Sequence, residues 1–442
     1  MKTLFCPILF GIAAFGLAGC ELASSTASSL APTASDSTAS LVVASDLHYF
    51  SPALMADTST AAFKQYLLMD RKMIVQSPAL LHSFLDSVRA RKPKIVLLTG
   101  DLTKDGEKQS HQEMADSLAT LRKLGIKVYV IPGNHDVANP ESQAYMKSGA
   151  ASTPNVTAAE FASIYHDCGF DQAIARDSAS LSYVSEPVPG IWLFAMDPTR
   201  WRDNVPGGLE KVGGRFLPST VAWLKIQLDL AKSKGKVPVG AMHHGILEHF
   251  AGQATNPISA DYVVAGFDSL GAMFASKGMH VVFTGHFHAN DIASKTFSSG
   301  GSLTDIETGS LVTSPSPFRT GTLSAASGVS VHTSQIREIV GMTGFPHWAN
   351  QFLLSGMTEL SYLTLTTQFG VDTSTARMLS PLSANAYAAH YAGDEPGVPA
   401  SVAPVLTGLS ASGATGALLA GTVQALYADP APADSAGTFF LR

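Results

Sequence analysis

Cysteine, charged residues and long basic tracks are all scarce in this chain. Three cysteines occur in 442 residues. Cys6 and Cys20 lie near the N-terminus, so Cys168 is the one thiol left for a folded domain, which excludes a disulfide within it. Charged residues make up 14% of the chain and the formal net charge is −6. Because long nucleic acids are bound by clustered basic side chains, we expect no long nucleic acid as a partner.

The N-terminus has the pattern of an export signal. Lys2 precedes an apolar stretch, Leu4 to Leu17, which is too short for a membrane-spanning helix. The stretch ends in Leu17-Ala18-Gly19-Cys20, which resembles a bacterial lipobox, where cleavage leaves the cysteine as a lipidated N-terminus. We predict a lipoprotein signal peptide over residues 1–19 and lipidation at Cys20. The alternative is an ordinary signal peptide with a chance cysteine.

Residues 20–40 consist mostly of serine, threonine and alanine. Such a segment cannot bury a core, so we predict a flexible tether to a membrane. By analogy with lipoprotein sorting, Glu21 after the cysteine predicts the periplasmic face of the outer membrane, or the cell surface. The membrane would then be contacted through the lipid anchor only.

Strand-like and helix-like segments alternate from residue 41 onward. Apolar runs that predict buried strands lie at 41–45, 94–99, 127–131, 191–196, 237–242 and 280–284. Helical spacing is found between them, at 78–91, 107–124, 219–232 and 267–276. This alternation predicts an α/β fold with a sheet covered on both faces over residues 41–335. Residues 336–442 predict a mainly helical C-terminal region.

Five short motifs rich in Asp, His and Asn follow the ends of predicted strands. They are Asp46-Leu47-His48, Gly100-Asp101 with Gly106 downstream, Gly133-Asn134-His135-Asp136, His243-His244 and Gly285-His286-Phe287-His288. Strand ends converge in one crevice of an open α/β sheet. Residues two apart in an extended chain point the same way, which predicts that each Asp-x-His or His-x-His pair shares a face. Such ligands suit a pair of divalent cations, which activate water and neutralise charge on a phosphate.

The order of these motifs resembles the calcineurin-like metallophosphoesterase superfamily from about residue 41 to about residue 330. The resemblance implies a layered β-sandwich of mixed sheets flanked by helices, with a helical C-terminal appendage added here. It also implies two divalent ions (Mn, Fe or Zn) and in-line attack of metal-bound hydroxide on a small phosphate ester. The overall pattern is most similar to the cyclic-nucleotide and glycerophosphodiester branch, hence a phosphodiesterase. The alternatives are a phosphomonoesterase, such as a nucleotidase or acid phosphatase, and a non-catalytic binding scaffold.

The resemblance also implies residue roles. The implied metal ligands are Asp46, His48 and His288 for the first ion, Asp101 as the bridge, and Asn134, His243 and His286 for the second. His135 would contact the substrate phosphate and protonate the leaving oxygen. Relatives often have His-His-Pro where this chain has Gly245 after His244, so the order within His243-His244 stays open, with His243 expected as the ligand.

Five further residues are weaker candidates. We expect Asp136 to orient a ligand and His244 to lie behind the site or touch the substrate. Arg319 is a candidate for a bidentate phosphate contact, although we favour an exposed arginine. His111 and His249 are candidates for the edge of the site, although exposed histidines are favoured there too. The oligomeric state is not predicted.

Overall fold

The computed structural model describes residues 38–68, 70–428 and 430–441. The predicted signal peptide, Cys20 and nearly all of the predicted tether lie outside the described residues. The first strand begins at Ala39, before the predicted end of the tether, because Ala39 and Ser40 pair with Leu323 and Thr322.

The described chain alternates strands and helices. The strands are β1 (Ala39–Ala44), β2 (Ile95–Leu98), β3 (Lys127–Val130), β4 (Gln143–Met146), β5 (Gly149–Ser152), β6 (Ala175–Arg176), β7 (Tyr183–Val188), β8 (Ile191–Ala195), β9 (Val237–Ala241), β10 (Val281–Thr284), β11 (Ile292–Thr296), β12 (Ser302–Glu307), β13 (Pro317–Ser324), β14 (Gly328–Gln335) and β15 (Ala436–Phe439). The helices are α1 (Ala61–Leu68), α2 (Ser77–Arg91), α3 (Lys108–Arg122), α4 (Ala158–Ile164), α5 (Pro218–Ser233), α6 (Phe267–Ser276), α7 (Phe345–Thr367), α8 (Thr373–Ala392), α9 (Ala403–Ser410) and α10 (Ala414–Leu426).

The strands form two mixed sheets and one small hairpin. The first sheet has the order β15-β14-β13-β1-β2-β3, the second has the order β11-β12-β10-β9-β8-β7-β6, and β4 pairs with β5. In the second sheet the central strands β12, β10, β9 and β8 run parallel and the outer ones antiparallel. In the first sheet β1, β2 and the edge strand β3 run parallel, whereas β13, β14 and β15 pair antiparallel. The mixed α/β architecture predicted from the sequence is therefore confirmed.

The main hydrophobic core lies between the two sheets. Val43 from β1, Leu97 from β2 and Val239 from β9 all belong to one buried cluster. A second cluster lies on the outer face of the second sheet, where Leu224 of α5 and Phe274 of α6 cover it. Continuous apolar strands form here because both faces of each central strand are covered.

The two sheets approach closely at the end where the parallel strands finish. The Thr99 hydroxyl, beyond β2, donates to the Thr284 carbonyl at the end of β10 across 3.2 Å. A β-carbon added to Gly285 would lie 1.8 Å from the Ser45 hydroxyl oxygen. Glycine is required at position 285 because any larger residue would push the sheets apart where the motifs converge.

The region after β14 forms four helices and then returns to the first sheet. α7, α8, α9 and α10 follow one another, and β15 then pairs antiparallel with β14 through Val329 and Phe439. The sequence did not predict β15, because its short, half-exposed pattern is set by the open edge of β14 rather than by its own residues. Among the described residues, no helix combines the length and apolar character needed to cross a bilayer.

Candidate metal centre

The motif residues lie in tight turns beyond the strand ends. β1 ends at Ala44, and the backbone then takes a positive φ at Asp46 (52°) and at His48 (38°). The same holds at His286 (80°) and His288 (70°). Such angles are unfavourable for residues other than glycine and occur where function or packing requires them. The prediction that each pair shares the face of an extended strand is therefore wrong, because left-handed turns, not pleating, bring the side chains together.

The first group of predicted ligands is brought together as a buried triangle. Donor atoms of Asp46, His48 and His288 all lie within 4.8 Å of one another. The closest approach to the carboxylate is from His288 Nε2 to Asp46 Oδ1, at 3.4 Å. The Nε2 atoms of the two histidines lie 3.3 Å apart. His288 is oriented by a 3.0 Å hydrogen bond between its Nδ1 and the Thr313 hydroxyl.

The second group forms beside the first. Donor atoms of Asp101, His243 and His286 also lie within 4.8 Å of one another. His243 Nδ1–H donates to the Thr99 carbonyl at 2.8 Å, which directs Nε2 toward Asp101 Oδ2 at 3.2 Å. Asp101 Oδ2 also lies 3.6 Å from His48 Nε2 of the first group. The carboxylate of Asp101 thus lies between the two groups.

Several donor atoms in this cluster are buried and have no hydrogen-bond partner. They are Asp46 Oδ1, Asn134 Oδ1, His243 Nε2 and His286 Nε2. Leaving a polar atom buried and unpaired costs about 1–3 kcal/mol. Carboxylate, amide and imidazole donors of this kind are suitable ligands for divalent transition metals. The donor set therefore fits two closely spaced cations.

The charge states of the ligands agree with this. Burial lowers the pKa of His48 to about 3 and the pKa of His288 to about 4, so both rings are neutral. Burial raises the pKa of Asp46 and of Asp101, but the neighbouring histidines, His243 first among them, together outweigh it and hold both pKa values well below the usual range. Burial lowers the pKa of His243 as well, but Asp101 and Asp46 raise it to about 9, so this ring would lose a proton on binding a cation. Ionised carboxylates beside neutral imidazoles are the protonation states that bind metal.

His135 lies at the edge of the cluster with both ring nitrogens near carboxylates. Its Nδ1 is 2.8 Å from Asp105 Oδ1, and its Nε2 is 3.3 Å from Glu210 Oε1 and 3.8 Å from Asp101 Oδ2. Burial lowers the pKa of His135, but Glu210, followed by Asp101 and Asp105, raises it to about 10. The ring is therefore protonated at neutral pH and is a proton donor rather than a metal ligand.

A sequence model of the calcineurin-like phosphoesterase family matches residues 39–290, which is more than half of the chain. The chain belongs to the calcineurin-like phosphoesterase family. Membership implies a metal-dependent phosphoesterase. The family predicted from the five motifs is thereby confirmed, while its branch is not determined.

Solved structures with a similar fold include a dimetal phosphatase from Danio rerio, at 16% identity and a TM-score of 0.46, covering 67% of this chain and 96% of that one. Another is a purple acid phosphatase from yellow lupin (Lupinus luteus) seeds, at 11% identity and a TM-score of 0.37, covering 68% and 52%. A third is the GAP50 anchor of the Plasmodium inner membrane complex, at 10% identity and a TM-score of 0.37, covering 82% and 98%. No curated protein sequence matches this chain.

In this calcineurin-like phosphoesterase, Asp136 and Gly133 determine the conformation of the turns that carry the metal ligands. The Asp136 carboxylate accepts the backbone N–H groups of Gly133 and Leu102 at 2.8 and 3.1 Å, and so joins the Asn134 loop to the Asp101 loop. A β-carbon added to Gly133 would lie 2.0 Å from Asp101 Oδ1. Asp136 therefore lies where a residue that orients ligands would be expected.

Within the His243-His244 pair, the first residue faces the metal centre. His244 Nε2–H donates instead to the Val212 carbonyl at 2.8 Å. Its ring packs against that of His286, with centroids 4.3 Å apart. Burial lowers the pKa of His244 to about 3, so it is a neutral ring behind the ligands.

Four charged residues near the family motifs were not singled out from the sequence. Asp105 lies between Gly100 and Gly106 of the second motif. That position is the sequence signal that could have identified Asp105. Glu210 lies in the loop before α5, while Arg71 and Lys72 lie between α1 and α2. Only the tertiary fold brings these three to the cluster, where the charge of Lys72 acts on His48 and His135.

Three of the weaker candidates are buried, so the prediction that they are exposed is wrong. The Arg319 guanidinium donates to the backbone carbonyls of Glu307 and Asp434. Its donors are therefore already used within the fold and do not face a phosphate. His111 Nε2 bonds to the Asp136 carbonyl at 2.8 Å, and His249 Nδ1 bonds to a carboxylate at 2.6 Å. The polar groups of these three residues are buried because their hydrogen bonds connect neighbouring segments of the chain.

Proposed function

We propose that this protein is a binuclear metal-dependent phosphodiesterase that hydrolyses a small phosphate ester. The observation that supports the proposal is that buried histidines and carboxylates from four separate loops lie side by side and that several of their donor atoms have no hydrogen-bond partner. We assign Asp46, His48 and His288 to one cation and Asp101 to the position between the two. Asn134, His243 and His286 would hold the second. Manganese, iron and zinc all suit this donor set.

Two bound cations would supply an activated water and would neutralise charge on the phosphoryl group. The protein contributes a proton donor, His135, at the open edge of the cluster. Asp105 fixes the ring through Nδ1, and the Nε2–H, which lies 3.3 Å from Glu210 Oε1, would donate to the leaving oxygen in place of that carboxylate. The nearby carboxylates raise the pKa of His135 and so keep its ring protonated at neutral pH.

The charges at the edge of the site support a diester substrate. The Glu210 carboxylate lies 3.3 Å from His135 Nε2, where a phosphate oxygen would compete with it. Burial raises the pKa of Glu210 to about 7, so the group is partly ionised at neutral pH, and a diester with one negative charge is repelled less by it than a dianionic monoester. A phosphomonoesterase remains the second candidate, because Arg71 and Lys72 place two positive charges near the ligands.

The experiment that tests the proposal compares two chromogenic esters. The full-length protein is loaded with Mn(II) or Zn(II), and its turnover of bis-p-nitrophenyl phosphate and of p-nitrophenyl phosphate is measured. Faster diester turnover is the expected result, and faster monoester turnover supports the second candidate. If metal is bound and neither ester is hydrolysed, the protein is a binding scaffold and the proposal is wrong.

We also propose that the mature protein begins at a lipidated Cys20 after removal of residues 1–19, and that it is held at the periplasmic face of the outer membrane or at the cell surface. The lipobox-like residues before Cys20 support this. Mass spectrometry of the N-terminus tests it directly. The variant Cys20→Ser should release the protein from the membrane fraction, and continued membrane attachment of that variant would contradict the proposal.

A further inference from the structure

The four C-terminal helices enclose a mostly apolar cavity of about 180 Å³. Each helix contributes to its walls. The apolar lining includes Met357 and Leu360 of α7, Leu379 and Leu382 of α8, Leu406 of α9 and Val423 of α10. For comparison, an engineered apolar cavity of about 150 Å³ binds benzene. The cavity is thus large enough for an apolar group of at least that size.

One end of the cavity adjoins the metal centre. Phe287, the residue between the ligands His286 and His288, lines the cavity and belongs to the hydrophobic cluster of the helical region. Tyr262 lines it too, with its ring centroid 4.7 Å from that of His286. The cavity and the ligands therefore share a wall built from the Gly-His-Phe-His motif itself.

A positive charge lies at this same end. Arg71 lines the cavity, with its guanidinium carbon 5.9 Å from the centroid of the Tyr391 ring. The Arg71 Nε atom is buried and has no hydrogen-bond partner. A β-carbon on Gly356 would lie 3.5 Å from the Arg71 Cα, so α7 packs directly on this segment. An arginine with a free donor is suited to an anionic oxygen.

From this arrangement we propose that the substrate is an amphipathic phosphate ester, whose phosphate lies at the metal centre beside Arg71 and whose aliphatic chain occupies the cavity. The inference rests on the proposed phosphoesterase function and names the substrate class of that site. A nucleotide or glycerol ester would leave an apolar cavity facing polar groups, whereas an alkyl chain would bury apolar surface there.

The test measures how the specificity constant depends on chain length. Alkyl p-nitrophenyl phosphates from methyl to hexyl are hydrolysed by the metal-loaded, full-length protein, and kcat/KM is determined for each. A fully buried methylene contributes about 0.8 kcal/mol, or roughly threefold to fourfold in kcat/KM. With partial burial we expect the hexyl ester to exceed the methyl ester by at least about tenfold. A flat or falling series overturns the inference.

A matched pair of variants locates the effect. Leu382→Trp fills the cavity and should bring the hexyl-to-methyl ratio close to one. Met378→Trp adds the same side chain to the same helix at a position that is 58% exposed, and should leave the ratio unchanged. The hexyl-to-methyl ratio of kcat/KM is measured on one preparation of each variant, so a lower fraction of folded protein affects both values equally and leaves the ratio unchanged. Equal ratios in the two variants contradict the inference.

A binding measurement separates this inference from the proposed function. Hexylphosphonate and methylphosphonate, which are not hydrolysed, are titrated into the metal-loaded protein by calorimetry. Tighter binding of the hexyl compound with a more negative heat-capacity change supports the inference even if no ester is turned over. Equal binding of the two compounds overturns it, while ester hydrolysis without chain-length dependence leaves the phosphoesterase function standing.

Discussion

Two of the buried groups of histidines and carboxylates among the described residues differ in how their carboxylate oxygens are satisfied. In the metal centre, Asp46 Oδ1 is buried without a hydrogen-bond partner. We call the second group the His249 cluster; its residues are His249, Asp291, Asp305 and Glu307. Two of its carboxylates accept hydrogen bonds from backbone N–H groups. Asp305 Oδ2 accepts the N–H of Ile246 at 2.6 Å, and Glu307 accepts that of Ala289 at 3.2 Å.

The two groups also differ in the charge of their histidines. Burial dominates for His48 and His288, whose pKa values fall, so these rings offer lone pairs. Burial also lowers the pKa of His249, but Asp305, Asp291 and Glu307 together raise it well above the usual range. The His249 ring is thus a cation paired with anions. Proximity of such residues alone therefore does not distinguish the two groups, whereas the neutral rings of His48 and His288 and the unpartnered carboxylate oxygen of Asp46 do.

The largest difference is expected when the residue between the two ligand groups is changed. Asp101→Ala should lower phosphoesterase activity at least about a thousandfold, because cation stabilisation worth several kcal/mol is lost. Metal content, measured by inductively coupled plasma mass spectrometry, should fall with it. Asp86→Ala, on the exposed face of α2, is the control. Full activity in the Asp101 variant would refute the assigned metal centre.

A smaller loss is expected for the proton donor. His135→Ala should lower kcat by roughly 10²–10⁴, the usual contribution of general acid catalysis, while metal content stays unchanged. The loss should be greater for esters with poor alkyl leaving groups than for p-nitrophenyl esters. Wild-type rates, or an equal loss across all leaving groups, would show that His135 does not donate the proton.

In the His249 cluster, the expected effect is on stability. His249→Gln leaves buried carboxylates without their cation, which should cost about 3–5 kcal/mol of unfolding free energy in urea titrations. Because the folded-state pKa is raised, this stabilisation is complete below the unfolded pKa and declines as pH rises through the folded value. The difference in unfolding free energy between His249→Gln and the wild type should therefore become smaller at alkaline pH.

Two control measurements test the interpretation of the His249→Gln variant. Metal content should be unaffected by His249→Gln, and its loss would mean that the His249 cluster belongs to the metal centre. His82→Gln, which breaks an exposed pair with Asp86, should cost no more than about 1 kcal/mol.

The smallest effect is expected at a residue that orients a ligand. Thr313→Val removes the hydroxyl that bonds His288 Nδ1 without changing the side-chain volume much. Metal affinity should fall by about 10–100-fold, measured by competition with a chelator. Thr322→Val, at an exposed position of the following strand β13, should have no effect. Unchanged affinity for Thr313→Val would mean that the ring is held by packing alone.

Much of the fold could be predicted because its signals are local. Runs such as Val42–Val43 are apolar without interruption, and the structure places them in central strands buried on both faces. The motif residues were found because they follow these strands directly. The exposed edge strand β11 was missed, since an edge strand depends on its neighbour for pairing more than on its own pattern.

The rest of the site depends on contacts between distant parts of the chain. Glu210 and Lys72 belong to loops without a motif, and only the assembled fold brings their charges near His135. Arg319 was assigned to the surface or to a phosphate because burial of a charged residue is rare. Its burial here is stabilised by backbone carbonyls from two distant segments, which no local pattern reveals.

The return of the chain to the first sheet has an evolutionary consequence. Because α7–α10 connect neighbouring strands, β14 and β15, the ends of this helical block lie side by side. A segment with adjacent ends can be lengthened, shortened or exchanged at small entropic cost to the scaffold that carries it. The block is therefore a replaceable module, through which selection could alter the preferred ester while the hydrolytic machinery on the sheets stays constant.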